Sequence, residues 1–182
     1  MLVVNKKQNG FTVLELMVVM GIMVMMLLLT IPNFQSFDKN QVLETEADKL
    51  FSVLRQAQVW ALTGQTVGGA RYNFGVHFFS NCLPTACSYI FFKDDLTSGN
   101  KRYDVGEAYD TGQSSFSKGV YVSASSPNSN GLDIVFEVPD GAVYLNGAAA
   151  GETNAQITLT SSLSGKTKTV TVNGSSGQIN IQ

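Results

Sequence analysis

The chain has 182 residues, 44% of them hydrophobic and 14% charged, with a formal net charge of −2 at pH 7. That length fits one domain plus one further element, and the apolar content suffices for a sizeable core. Basic residues are few and scattered, with Lys6–Lys7 and Lys101–Arg102 as the adjacent pairs, so no clustered positive charge argues for a nucleic-acid partner.

The first ten residues, MLVVNKKQNG, form a short segment with two lysines. On the positive-inside rule these keep the N-terminus in the cytoplasm, and the rest of the chain is exported. From Phe11 to Ile31 the chain reads FTVLELMVVMGIMVMMLLLTI, with Thr12, Glu15 and Thr30 as its polar side chains. As a helix this run is about 31 Å long, close to the ~30 Å of a bilayer hydrocarbon core. It is apolar on all sides, unlike the one-sided stripe of a soluble helix, and so predicts a transmembrane helix. No A-x-A-like cleavage site comes after the run; the polar junction, Gly10–Phe11, precedes it. Glu15 is a carboxylate inside the span, where a charge costs about 2.5–3.5 kcal/mol on insertion scales and calls for a partner. A cut after Gly10 would create such a partner in the α-amino group of Phe11 on a neighbouring subunit.

The run GFTVLELMVV resembles the leader of type IV prepilins and type II secretion pseudopilins, whose pattern is Gly, a hydrophobe, then Glu at the fifth mature position. The resemblance implies cleavage between Gly10 and Phe11 by a prepilin peptidase, methylation of the Phe11 amine, and pairing of Glu15 with a neighbour's N-terminus during assembly. It also implies other pilin or pseudopilin subunits, an inner-membrane assembly platform and membrane lipid as partners. Pro32 is similar to the proline that interrupts pilin helices, and its missing N–H and ring clash predict a kink.

Past Pro32 the pattern becomes amphipathic up to Gly64, with Leu43, Ala47, Leu50, Phe51, Leu54, Ala57 and Ala61 at helical spacing. The opposite face carries Asp38, Lys39, Glu44, Glu46, Asp48, Lys49 and Arg55, Trp60 sits in the core at the helix end, and Gly64 is a C-cap candidate. After Gly64 a period of two recurs in ARYNFGVHFF, SYIFFKD, GVYVSA, LDIVFEV, AVYLN, AQITLTS, TKTVTV and GQINIQ, which predicts mostly antiparallel strands facing the helix. Pro139-Asp140-Gly141 is a hairpin turn by composition. Thr97–Gly119 and Ser123–Gly131 are expected to be flexible loops.

Cys82 and Cys87 are the two cysteines, with four residues between them in NCLPTACSY, and a structural disulfide between them is expected. The single histidine, His77, alternates with apolar neighbours and reads as a structural strand residue, too few ligands for zinc. Asp94, Asp95, Asp104, Glu107 and Asp110 could collect around calcium, but their spacing matches no EF-hand loop and a solvated surface is the preferred reading. No arrangement of an activated nucleophile or phosphate-cradling loop is present, so neither an enzyme nor a cofactor or metal site is expected.

The body resembles the GspH/FimT-type minor pseudopilin and minor pilin domain in LRQAQVWALTGQTV, in FEVPDG and in the closing Gly177, Ile179 and Ile181. It departs from DNA-binding relatives, because GSSGQINIQ lacks Arg and Lys. The expectation is an α+β protein of pilin-like fold: residues 1–10 a leader, 11–32 a transmembrane helix and filament core, 33–64 an amphipathic helix packed on the head, and 65–182 a β-rich exported head. Its expected function is that of a minor subunit in a type II secretion or type IV pilus machine, anchored once in the inner membrane with the head outside the cytoplasm. The alternatives are a major pilin or a membrane-tethered binding module.

Overall fold

The computed structural model describes residues 11–79, 82–96, 99–117, 119–127 and 131–182, and within them the side chains of 29–39 and 110–112 lie outside the description. The described chain begins with one helix, α1, Val13–Thr63. Eleven strands come after it: β1 Thr66–Val67, β2 Ala70–Phe78, β3 Ser88–Asp95, β4 Ala108–Ser115, β5 Val120–Ser126, β6 Leu132–Phe136, β7 Val143–Leu145, β8 Ala148–Ala149, β9 Ala155–Ser161, β10 Thr167–Val172 and β11 Ile179–Ile181. Two compact units result, residues 1–38 and residues 39–182.

In the larger unit the amphipathic stretch of α1 is the spine of the core. Leu43, Ala47, Leu50, Leu54, Ala57 and Ala61 are all at most 2% exposed and belong to one buried cluster with side chains from both sheets. Their spacing of three, four and seven residues puts them on one helix face. The helix ends in a Schellman arrangement, with Gln65 N–H donating to the Trp60 carbonyl and Gly64 N–H to the Ala61 carbonyl. Gly64 has φ of +62°, which a side chain disfavours and glycine accepts.

The strands form two antiparallel sheets, the first ordered β4-β3-β2-β6-β7-β8 with β1 against β2, the second β11-β10-β9-β5. Along β2, Phe74, Val76 and Phe78 join the helix-centred core, and Leu132, Ile134 and Phe136 of β6 do the same. The second sheet contributes Ile157, Leu159, Val170 and Val172 to that core. The first sheet is also apolar on its other face, where Ile90, Phe92 and Val135 form a small second core with Tyr103, Ala108 and Tyr144. The uninterrupted YIFF of β3 encodes this, since a strand covered on both faces loses its alternation. Gly75 lies beneath it: a β-carbon there would come 2.7 Å from the Ile134 carbonyl oxygen and 2.8 Å from the Phe92 ring.

The Pro139-Asp140-Gly141 turn joins β6 to β7 as expected, closed by Glu137 N–H to the Ala142 carbonyl and Gly141 N–H to the Glu137 carbonyl. Three expectations are corrected. The region from Thr97 to Gly119 contains strand β4, and residues 99–107 are fastened to the first sheet by side-chain contacts. The stretch from Ser123 to Ser126 belongs to β5. Glu46, assigned to the solvated face, is 3% exposed, because its Oε1 accepts from Ser117 Oγ at 2.6 Å and pairs with Lys49 Nζ at 2.6 Å.

Candidate functional site: the N-terminal segment

Every described side chain from Phe11 to Leu28 is exposed, Phe11 by 82% and Leu14 by 75%. Such a sequence of large apolar groups in water is costly at about 25 cal/mol per Å², so this stretch calls for an apolar covering. Among the described residues no helix is long and apolar enough to cross a membrane. The apolar run in the sequence continues through Leu29, Thr30 and Ile31, past Leu28, the last described side chain of this stretch.

Gly10 lies outside the described residues. Phe11 and Thr12 precede the helix in non-helical conformation, and Glu15 stands in its first turn. Thr12 Oγ1 accepts a hydrogen bond from Glu15 N–H at 3.3 Å, and the Thr12 carbonyl accepts from Leu16 N–H at 3.2 Å. Thr12 is therefore the N-cap and Glu15 the third helical position, the Thr-x-x-Glu spacing of a capping box. Sequence reading missed this role, although the spacing was there to find. A carboxylate in the first turn also faces the positive end of the helix dipole, which favours its charge by about 0.3–1 kcal/mol where exposed.

Pro32 falls within the helical span, with its side chain outside those described, and α1 continues unbroken from Val13 to Thr63 in hydrogen-bonded assignment. Cys82 and Cys87 form the expected disulfide, with Cα atoms 4.6 Å apart, and Cys87 Sγ accepts from Val122 N–H. His77 Nδ1 lies 2.6 Å from Asp133 Oδ1, its cross-strand neighbour, and its ring packs against Phe79 and Tyr103. Trp60 is half-buried among Phe74, Phe91 and Tyr109, with ring centroids 5.2–5.4 Å away. Asp94, read from sequence as solvated, is fully buried. Apart from Pro32, none of these residues lies in the N-terminal unit; the site residues described at its helix start are Phe11, Thr12 and Glu15.

Comparison with protein families matches residues 5–31 to the prokaryotic N-terminal methylation motif, the type IV prepilin-like leader. The match covers the leader and the apolar run and none of the head. It implies a precursor of the type IV pilin-like kind, processed by a prepilin peptidase. No curated protein and no solved structure matches the chain.

Proposed function

We propose that this chain is the precursor of a minor pilin or pseudopilin subunit. A prepilin peptidase cuts between Gly10 and Phe11, the Phe11 amine is methylated, and residues 11–32 hold the subunit in the inner membrane with the head exported. On assembly the apolar side chains bundle with those of neighbouring subunits, and Glu15 selects the register by pairing with a neighbour's N-terminal amine. The chain has no catalysis of its own; Gly10 and Phe11 are the substrate of another enzyme.

The observation that carries this reading is the methylation motif at residues 5–31, which includes the Gly10–Phe11 junction and Glu15. The exposed apolar side chains from Phe11 to Leu28 support it, because they need an apolar covering such as lipid or neighbouring helices would give. The minor type is supported by the body's resemblance in FEVPDG and the closing glycine-isoleucine pattern.

Intact mass and N-terminal sequencing of protein from membranes, with and without the peptidase, test the processing. A mature chain beginning at N-methylated Phe11 is expected. A chain still starting at Met1, or one cut after the apolar run, would overturn the reading. Glu15→Ala tests the assembly step: the variant is expected to remain anchored and to drop out of sheared filaments, and normal incorporation would refute the pairing role.

A further inference from the structure

In the larger unit, ionisable side chains gather under residues 99–107. This stretch leaves the end of β3 and crosses the small second core on the first sheet. Tyr103 packs its ring 4.9 Å from that of His77 and 5.5 Å from that of Phe92. Lys101 pairs with Glu137 and holds its ammonium 4.5 Å from the centre of the Tyr144 ring. Arg102 Nε donates to the Asn146 carbonyl at 2.7 Å. Lys101 takes φ of +59°, a left-handed conformation that a non-glycine residue holds only when its surroundings enforce it.

Beneath this stretch lies Asp94, 0% exposed. Its Oδ2 accepts from Asn73 Nδ2 at 3.3 Å and from Lys101 N–H at 3.2 Å. Its Oδ1 is buried with no hydrogen-bond partner. An ionised carboxylate in that position carries an unsatisfied oxygen out of water, which is unfavourable. Gly99 packs against the carboxyl on one side: a β-carbon there would collide with Asp94 Oδ1 and with the Asp95 carbonyl oxygen. Among the described residues no group of three or more His, Cys, Asp and Glu could hold a metal ion.

We propose that residues 99–107 are a proton-controlled strap, with Asp94 as its proton-binding site: the strap lies closed over the first sheet while Asp94 is protonated and opens when that proton is lost. Opening would hydrate the carboxylate and uncover Ile90, Phe92 and Val135.

The electrostatic surroundings point the same way. Burial pushes the Asp94 carboxyl above its usual range, against the lowering effects of the Asn73 side chain, the Lys101 and Asn100 backbone N–H groups and the Lys101 charge. Burial also raises Glu107, helped by the negative charges of Asp94, Asp104 and Asp133. A carboxyl whose affinity for protons is higher in the closed form takes up a proton on closing. The closed form is therefore unpenalised below the ordinary carboxylate range and loses stability as pH rises through the raised value. The other charged groups beside the strap are His77, paired with Asp133, and Lys101, paired with Glu137.

Amide hydrogen exchange of the full chain in detergent, from the ordinary carboxylate range near about pH 4 up to about pH 8 and corrected for intrinsic rates, reads the opening of 99–107. In the wild type the opening constant is expected to rise with pH by up to about tenfold per unit for each proton released. Asp94→Asn, neutral at every pH, is expected to remove most of that slope. A wild-type strap that opens equally across the range, or an Asp94→Asn variant that keeps the wild-type slope, overturns the proposal; a merely structural Asp94 would leave the slope unchanged. Should the variant fail to fold, carbon-13 carboxyl NMR of the wild type decides. One aspartate titrating above the ordinary range in step with the Tyr103 signals supports the strap, and its absence refutes it.

Discussion

Leu54→Ala tests whether the second half of α1 is the core of the larger unit. Leu54 is fully buried in the cluster shared with both sheets, and truncating a buried leucine costs about 2–5 kcal/mol through lost transfer energy and the cavity left behind. A value of about 3 kcal/mol suits a site walled by a helix on one side and sheets on the other, which can collapse little. For the unit of residues 39–182, at about 2.1 cal/mol/K per residue, the unfolding entropy is about 0.3 kcal/mol/K, so the loss lowers Tm by about 10 °C. Trp60 is the only tryptophan and sits between rings from β2, β3 and β4, so its fluorescence reports this unit's melting even if the N-terminal apolar run stays helical in detergent. Leu62→Ala is the control: Leu62 is 49% exposed on the same helix and should shift Tm by no more than about 2 °C. Equal shifts for the two variants would refute the packing of α1 against the sheets.

Three further outcomes rest on the same geometry. Cys82→Ser removes a short-loop disulfide whose chain-entropy effect is about 2 kcal/mol, so Tm should fall by about 7 °C; reductant should lower the wild type equally and leave the variant unmoved. Gly75→Ala forces a β-carbon against the Ile134 carbonyl and the Phe92 ring, and should cost about 1–3 kcal/mol in a urea titration despite adding one methyl group. Glu46→Ala leaves the Ser117 hydroxyl without its acceptor and should cost about 2 kcal/mol, whereas Asp48→Ala, on the exposed face two residues on, should stay within about 0.5 kcal/mol.

The parts of the fold that were legible in the sequence are those set by periodicity and turn chemistry. The heptad-like run from Leu43 to Ala61 located the buried face of α1, Gly64 its end, and Pro139-Asp140-Gly141 a hairpin. Strand β4 was not legible, because AYDTGQSS is polar, offers no apolar alternation and is held by pairing to β3. The placement of Glu46 and Asp94 was misread for a related reason. Charge predicts exposure only until a distant partner is known, and Ser117 and Asn73 lie 71 and 21 residues away from them in sequence. SYIFFKD was read as a period-two strand facing the helix; that its YIFF run is buried on both faces was not read, because what covers the second face is the polar segment 99–107, which composition alone marks as a loop.

Glu15 shows how one side chain can serve two requirements that the sequence presents as a single anomaly. Read only as a charge in an apolar run, it demands an external partner. The structure adds a local one: Thr12 caps the helix, and Glu15 sits in the first turn, where the unpaired N–H groups and the helix dipole favour a negative charge. That local effect is about 0.3–1 kcal/mol, against an insertion cost of about 2.5–3.5 kcal/mol, so it offsets the cost only in part. Under the proposed function, the remainder would leave a carboxylate that is tolerable alone yet better satisfied beside a neighbour's amine. On that proposal, a capping residue beside the new N-terminus and an acid three positions later would suit a helix that must persist as a monomer and still favour assembly.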